Sequence, residues 1–402
     1  MVSSRSSKGF CEGAPSWTPA AYISDRALHD RAASLLEGAD DVRAATAASF
    51  SLPARDSYVY HAHLSVTLAQ VQHAVSLGAA NHLHAWYRDP ADPARPAPPP
   101  PRADVDAYLA IFDPATATAN ALKALASNAK KGSLRARVAQ NLQAKRFLHP
   151  ALLPQLTIPK RKQTAAAAAT TPANPYLTFL GWACRNLEWC GPNDLSETAP
   201  PTSHPVLPLL MHHFGCVCPT FESLEIIRVL AAGREVIDMG SGSGYWTFML
   251  RQHGLPGGCH PVDNAQSSWR VMWVDDTEIA DGEKFLRQKR GGAPDAVLLL
   301  VYPIVGGGVA GGEEGGFTRS LLRAYTGDTL VVVGTQNRNG YTGFRSQSMD
   351  EYMAREHGSE WTKVVQIPLP SFPGKDEAMF VFQRGQRAPP AVEAEPKPTP
   401  SS

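Results

Sequence analysis

The sequence carries almost no net charge: 38 Lys and Arg stand against 37 Asp and Glu, which leaves +1 over 402 residues. So balanced a chain sets up no overall field to draw in nucleic acid or an anionic membrane surface. It also lacks any apolar run near the ~18 residues of a spanning helix, and residues 1–8 lack the apolar segment of a secretory signal. A cytoplasmic or nuclear location is the expectation, with no membrane partner and no indication of nucleic acid. Cysteine is sparse: six residues, at 11, 184, 190, 216, 218 and 259. In that setting the thiols are expected to be reduced. His212, His213, Cys216 and Cys218 crowd together, but their spacing matches no zinc pattern, and packing beside the apolar residues 206–211 is the other reading. No metal is expected. Internal repeats are absent too.

Hydrophobic content of 43% and charged content of 19% are ordinary for a globular protein. The length leaves room for more than one domain and a sizeable core. Residues 25–36 read as a helix, with Ser24 as a plausible N-cap. Residues 61–87 read as a longer helix, in which Leu64, Leu68, Val71, Val75 and Ala79 recur at helical spacing; its histidines read as scattered surface groups. A proline-rich run at 89–103 has no apolar period and reads as an extended linker or exposed loop. Helical patterns resume over 104–112, 116–130 and 134–148. Their polar faces are basic but hold almost no aromatics for base stacking, so they read as solvated. The alanine-rich stretch 159–174 is a second linker, and its Pro159-Lys160-Arg161-Lys162 cluster is either a nuclear address or a solvated linker end. Residues 386–402 are rich in Pro, Ala and Glu and are expected to be disordered. The division that follows is a helical region at 1–88, a linker at 89–103, a helical region at 104–158, a linker at 159–174, a larger domain at 175–385 with a helical lead-in, and a tail.

The informative stretch lies inside the larger domain. Glu235-Val236-Ile237-Asp238 is a short apolar run ending in an acid, and Gly240, Gly242 and Gly244 follow at alternate positions. Residues 245–251 then read as a helix opening out of the glycines. Glycine lacks a Cβ, so such a turn can take positive φ and lie close to a ligand, and the first N–H groups of the helix point into the same crevice. Dinucleotide folds usually space these glycines as G-x-G-x-x-G, with the acid some twenty residues later; here an acid precedes the glycines. Downstream, residues 259–263 form a strand ending in Asp263. Residues 271–276 form a third strand ending in Asp275 and Asp276, and 278–290 a helix. Residues 295–301 are apolar throughout, as in a parallel strand covered on both faces, and end in Tyr302-Pro303. A helix at 317–325 and strands at 328–334, 361–369 and 378–383 complete a doubly wound α/β pattern.

This pattern resembles motif I and the strand order of the class I S-adenosylmethionine-dependent methyltransferases, over roughly residues 219–384. A looser likeness, to an uncharacterised methyltransferase-like subgroup, rests on Gly244-Tyr245-Trp246 and on residues 298–303. The resemblance implies a seven-stranded Rossmann-like sheet and S-adenosylmethionine as cofactor. Asp238 would face the cofactor's amino-acid end, Gly240, Gly242 and Gly244 would supply close backbone, and Asp263 would hold the ribose. Asp275 and Asp276 would sit near the adenine, and Tyr302 and Trp246 would border the substrate pocket. Trp182 and Trp189, in the lead-in, are either substrate wall or core.

Methyl transfer from a sulfonium needs mainly proximity and alignment, with a base for some acceptors. The sequence names no base; His253 and His260 are candidates by residue type alone. Val301-Tyr302-Pro303-Ile304 lacks the polar leader that amino-methylating relatives carry before the proline. The Gly-rich residues 306–316 read either as a lid or as an insertion without consequence. The expected function is methyl transfer to an unidentified acceptor, with oligomeric state open. A methyltransferase-like scaffold and a nicotinamide oxidoreductase are the alternatives.

Overall fold

The computed structural model describes residues 10–53, 59–61, 65–161, 173–197, 204–265, 269–306 and 312–390. Residues 1–9, most of the alanine-rich stretch, Gly307, Gly308 and Gly311 of the glycine-rich loop, and the tail from 391 lie outside them.

After a two-stranded ribbon, β1 (Tyr60–His61) and β2 (Ser65–Val66), one sheet organises the chain. Its strands are β3 (Phe147–Leu148), β4 (Val236–Met239), β5 (Cys259–Asp263), β6 (Glu278–Ile279), β7 (Val297–Val301), β8 (Thr329–Thr335), β9 (Trp361–Pro368) and β10 (Glu377–Arg384). The order across the sheet is β3-β9-β10-β8-β7-β4-β5-β6. Strands β4 to β8 pair in parallel, while β10 runs antiparallel between β8 and β9. Order reverses at β4, which has β5 on one side and β7 on the other; the crevice outside the carboxyl ends of such strands is where open α/β sheets bind ligands.

The sheet is buried on both faces because its central strands are largely apolar, β7 at every position and β8 and β10 along most of their length. Val236, Val297, Leu299, Val331, Val333, Met379 and Val381 enter one core. Ile237, Leu298, Leu300, Leu330, Val332, Phe380 and Phe382 enter the other. That split is the two-residue alternation of side chains along a strand. The first core is shared with the N-terminal helices. The second lies under the helices Gly316–Ala324 and Met349–His357.

Three expectations about the sheet half need correction, and one helix there was not expected. The sheet has eight strands rather than seven. The extra one is the end of the expected 134–148 helix: that helix stops at Lys145, and Phe147–Leu148 adds to the edge of β9. Residues 271–276 form no strand. Their N–H groups go to three different segments, Val271 to His212 O at 2.9 Å, Met272 to Phe10 O at 2.8 Å and Trp273 to Ser243 O at 2.8 Å, so no ladder can run. The third parallel strand is Glu278–Ile279 instead. The helix expected over 278–290 shrinks to Gly282–Lys284 and a π-helical stretch, Phe285–Lys289. Finally, the helix Met349–His357, opened by a Ser348–Glu351 capping box, went unread.

In the N-terminal half, Asp25 rather than Ser24 caps the helix Arg26–Ala39. The long helix begins only at Leu68, after a Thr67–Gln70 capping box, and ends at Asn81, followed by a left-handed His82. The proline-rich run folds back on itself through an Arg88–Pro96 bridge. This half packs on the sheet's first core. Trp17 meets Trp273 edge-on at 5.4 Å. Lys145 Nζ lies 2.7 Å from Asp376, which is fully buried. Arg146 holds Glu222 through two guanidinium nitrogens.

Candidate functional site

β4 delivers Asp238 to the switch point. The side chain alternates onto the first-core face and is 0% exposed. Its Oδ2 accepts from Thr247 Oγ1 at 2.7 Å, on the helix that leaves the glycine turn. Its Oδ1 has no partner among the described residues, and neither does the buried Ser241 Oγ. Burial, and secondly the neighbouring Asp263 charge, push the Asp238 carboxyl up to about 7 against the pull of Thr247.

The turn itself is built as the glycines require: Gly240, Gly242 and Gly244 have φ of +78°, +56° and +72°. Its amides, however, are turned inward. Gly240 and Ser241 N–H donate to Val262 O, Gly244 N–H to Ser241 O, and Gly242 N–H to Asp263 Oδ2 at 2.9 Å. Ala265 N–H takes the other Asp263 oxygen at 2.6 Å. Asp263 is therefore clamped to the turn and placed at its lip, 9% exposed. At Gly244 a Cβ would come within 2.4 Å of Val274 Cγ2, so this glycine admits the 271–274 segment rather than open space.

The other expected residues spread apart. Asp275 and Asp276 are exposed beyond Val274, and Asp276 is held by both terminal nitrogens of Arg251, in the last turn of the Tyr245–Gln252 helix. Trp246 is buried, and its Nε1 donates to Val217 O at 2.9 Å. Trp182 and Trp189 are buried as well. His253 and His260 each face a glutamate, Glu225 at 2.7 Å and Glu278 at 3.1 Å. His212, His213, Cys216 and Cys218 point to different neighbours: His213 Nε2 lies 3.2 Å from Tyr60 OH, Arg270 lies 3.4 Å from Cys216 Sγ, and Cys218 Sγ lies by Asn174. Among the described residues no group of three or more such side chains is placed to hold a metal ion.

Tyr302 sits across the switch point, directly after β7. It is left-handed at φ +55°, which for a non-glycine residue costs on the order of 1–3 kcal/mol and marks a position fixed by its surroundings. Lys375 Nζ approaches its hydroxyl at 3.4 Å and lies over both the Tyr302 and Tyr341 rings, at 5.3 and 5.4 Å. Glu377, the first residue of β10, is 3% exposed; its Oε1 is 3.8 Å from Lys375 Nζ and its Oε2 has no partner among the described residues. Burial pushes its carboxyl up to about 7, with Lys375 opposing. The sequence reading missed Lys375 and Glu377. The signal was present: Lys375-Asp376-Glu377 puts three charges at the head of an apolar strand, where solvation alone would not bury them.

Neither a protein-family model nor a curated protein matches the sequence. Solved structures similar to the chain include an rRNA methylase from Streptococcus thermophilus, 15% identical over 39% of this chain and 93% of that one, with a TM-score of 0.27. The mitomycin 7-O-methyltransferase MmcR is 12% identical over 69% and 94%, with a TM-score of 0.27. The O-methyltransferase NcsB1 from neocarzinostatin biosynthesis, in complex with S-adenosylmethionine and 2-hydroxy-5-methyl naphthoic acid, is 13% identical over 70% and 95%, with a TM-score of 0.25. All three are described as methylases or methyltransferases, and at such scores the likeness carries no argument about activity. Among the described residues no helix is long and apolar enough to cross a membrane.

Proposed function

We propose that the chain is a class I S-adenosylmethionine-dependent methyltransferase with an unidentified acceptor, and that residues 175–385 form its catalytic domain. The observation that carries the reading is the unpartnered Oδ1 of Asp238, fully buried in an acid-x-Gly-x-Gly-x-Gly turn at the reversal of strand order. A cationic amino group is the partner such an oxygen lacks, and a pyrophosphate is not. The residues fit the cofactor in this respect, and Ser241 Oγ adds a second orphaned polar atom on the same turn. Asp238 would meet the amino-acid end, Gly240 and Ser241 would offer half-exposed backbone, and Asp263 would reach a ribose from the lip. When bound, the cofactor supplies a methyl group already activated by its sulfonium. The chain's task is to align it with the acceptor and exclude water.

One observation favours a second reading, a methyltransferase-like fold that binds without turnover. The amides of Gly240, Ser241, Gly242 and Gly244 are all consumed within the chain, so the turn offers the ligand few donors. Calorimetry separates the readings from a nicotinamide enzyme: S-adenosylhomocysteine is expected to bind and NADH is not. Asp238→Asn, which keeps the shape and removes the charge, is expected to weaken S-adenosylhomocysteine about 10–100-fold, the worth of a charge-assisted contact of roughly 1.5–3 kcal/mol. No heat with the wild-type protein sinks the proposal. Binding without transfer of a tritiated methyl group to any fraction of a cell extract leaves the scaffold reading in its place.

A further inference from the structure

The polar cluster beside Tyr302 has no structural account in the fold. Asp376, next along the hairpin, is satisfied: it accepts from Lys145 Nζ at 2.7 Å, Asn141 Nδ2 at 3.2 Å and Gln336 Nε2 at 2.8 Å. Glu377 is different. It alternates to the first-core face, the face of Asp238 and Tyr302, and keeps one oxygen without a partner among the described residues although it is almost wholly buried. A buried carboxyl with one oxygen unsatisfied is expensive even beside a cation, and a fold can discard it by one substitution. Its surroundings are held from four directions. Ser371 Oγ accepts the Glu377 N–H at 2.8 Å. Asn339 Nδ2 donates to Gly374 O at 2.7 Å, and Asn339 Oδ1 accepts from Tyr341 N–H at 3.0 Å, tying the Tyr341 loop to the hairpin. Tyr302 N–H donates to Val333 O at 2.7 Å. Half-buried Tyr302, Tyr341 and Cys216 border the cluster.

We propose that Glu377 is the general base of the methyl transfer, taking the proton from a hydroxyl group on the acceptor, and that Lys375 is the positioning cation that favours the oxyanion as it forms. The proposal rests on the methyltransferase reading. The acceptor class follows from Lys375. A hydroxyl oxygen gains negative charge as its proton leaves, and an ammonium 3.8 Å from the base stabilises that charge. An amine gains positive charge as it attacks carbon, and the same ammonium opposes it. In the step, the acceptor O–H bond breaks and its proton goes to Glu377 Oε2. The oxygen forms a bond to the donor methyl carbon. The S–CH3 bond breaks with its electron pair left on sulfur, which turns the sulfonium into a neutral thioether. Glu377 then releases the proton to water.

Titration of this base is governed by what faces it. Lys375 and Asp376 come from its own hairpin, Tyr302 from the end of β7, Tyr341 from the loop after β8, Tyr176 from the helix Pro175–Asn186 and Tyr108 from the helix Arg102–Leu109. Burial holds the four phenols above their ordinary value, so they stay neutral. Lys375 is then the cation that opposes protonation of Glu377.

The test compares the full chain with Glu377→Gln and Glu377→Asp. S-adenosylhomocysteine calorimetry comes first, and affinity equal to wild type is expected in both variants. Infrared difference spectra between pH 5 and 9 are expected to show protonated-carboxyl absorption in the wild-type protein that Glu377→Gln diminishes, leaving the contribution of Asp238. With tritiated S-adenosylmethionine and a cell-extract small-molecule fraction, Glu377→Gln is expected to lower labelling about 10²–10⁴-fold, the usual worth of a positioned base. Glu377→Asp should recover part of it, and the label should reside in an O-methyl group. Labelling by Glu377→Gln at the wild-type rate, a label found on nitrogen, or cofactor binding with no labelling by the wild-type protein each overturns the proposal. Absence of S-adenosylhomocysteine binding by the wild-type protein instead overturns the methyltransferase reading beneath it.

Discussion

Asp238 and Glu377 are two carboxyls that burial drives toward neutrality, and both lie on one face of the sheet at its carboxyl edge. Their linkage to stability has a definite sign. The folded protein retains the Glu377 proton up to about 7, whereas the unfolded chain loses it near 4.5. The stabilisation from this group is thus complete below 4.5 and is lost as pH rises through about 7. Asp238 behaves alike, from 3.8 to about 7. His204, pushed down to about 3 chiefly by burial, acts oppositely: its contribution is present above 6.5 and lost as pH falls. The wild-type curve mixes the two. The Glu377→Gln variant isolates one: urea midpoints are expected to show wild type losing ground to the variant between pH 5 and 8. A constant difference across that range would contradict the assignment. Gly244 gives a second residue-scale prediction. Its φ of +72° and the 2.4 Å approach of a Cβ to Val274 make Gly244→Ala cost about 1–3 kcal/mol in strain, before any repacking, read as a shift in urea midpoint.

At the scale of elements, the segment 271–274 shows why pattern alone misled. Its apolar residues look like a strand, and they are buried as a strand's would be. Burial is supplied from both sides of the segment instead: Trp273 stands edge-on to Trp17 of the N-terminal half at 5.4 Å and to Tyr245 of the sheet half at 4.7 Å, and its Nε1 donates to His213 O at 2.6 Å. The segment works as a strap across the glycine turn. Trp273→Ala is expected to cost about 3–5 kcal/mol, and to raise amide exchange at residues 240–247 as well as in the N-terminal helices. Protection lost in the helices alone would show that the strap does not hold the turn. The closing hairpin teaches the converse. β9 and β10 were legible from their apolar runs, but the charged residues between them acquire meaning only when β10 inserts beside β8 and brings Glu377 level with Thr335.

Over the whole molecule, the N-terminal helices and the sheet share one core, and the joint has polar pins. Lys145 reaches across to Asp376 and Arg146 to Glu222. Removing one partner of a buried pair leaves a charge without compensation. Lys145→Met is expected to cost about 3–5 kcal/mol and to make the two halves unfold in separable steps, which differential scanning calorimetry would resolve. A single unchanged transition would mean that apolar contact alone couples them. Sequence by itself determined the local facts: a glycine turn with an acid before it, an acid closing the next strand, apolar strands in alternation with helices. Each depends on residues close in the chain, where propensity and period act directly. Only the tertiary structure decided what the acids face. It committed Asp276 to Arg251 and the turn's amides to the chain itself, buried Trp246, and left oxygens of Asp238 and Glu377 without partners among the described residues. Those outcomes depend on groups far apart in sequence that share one dry volume, and a linear pattern does not encode which of them will meet.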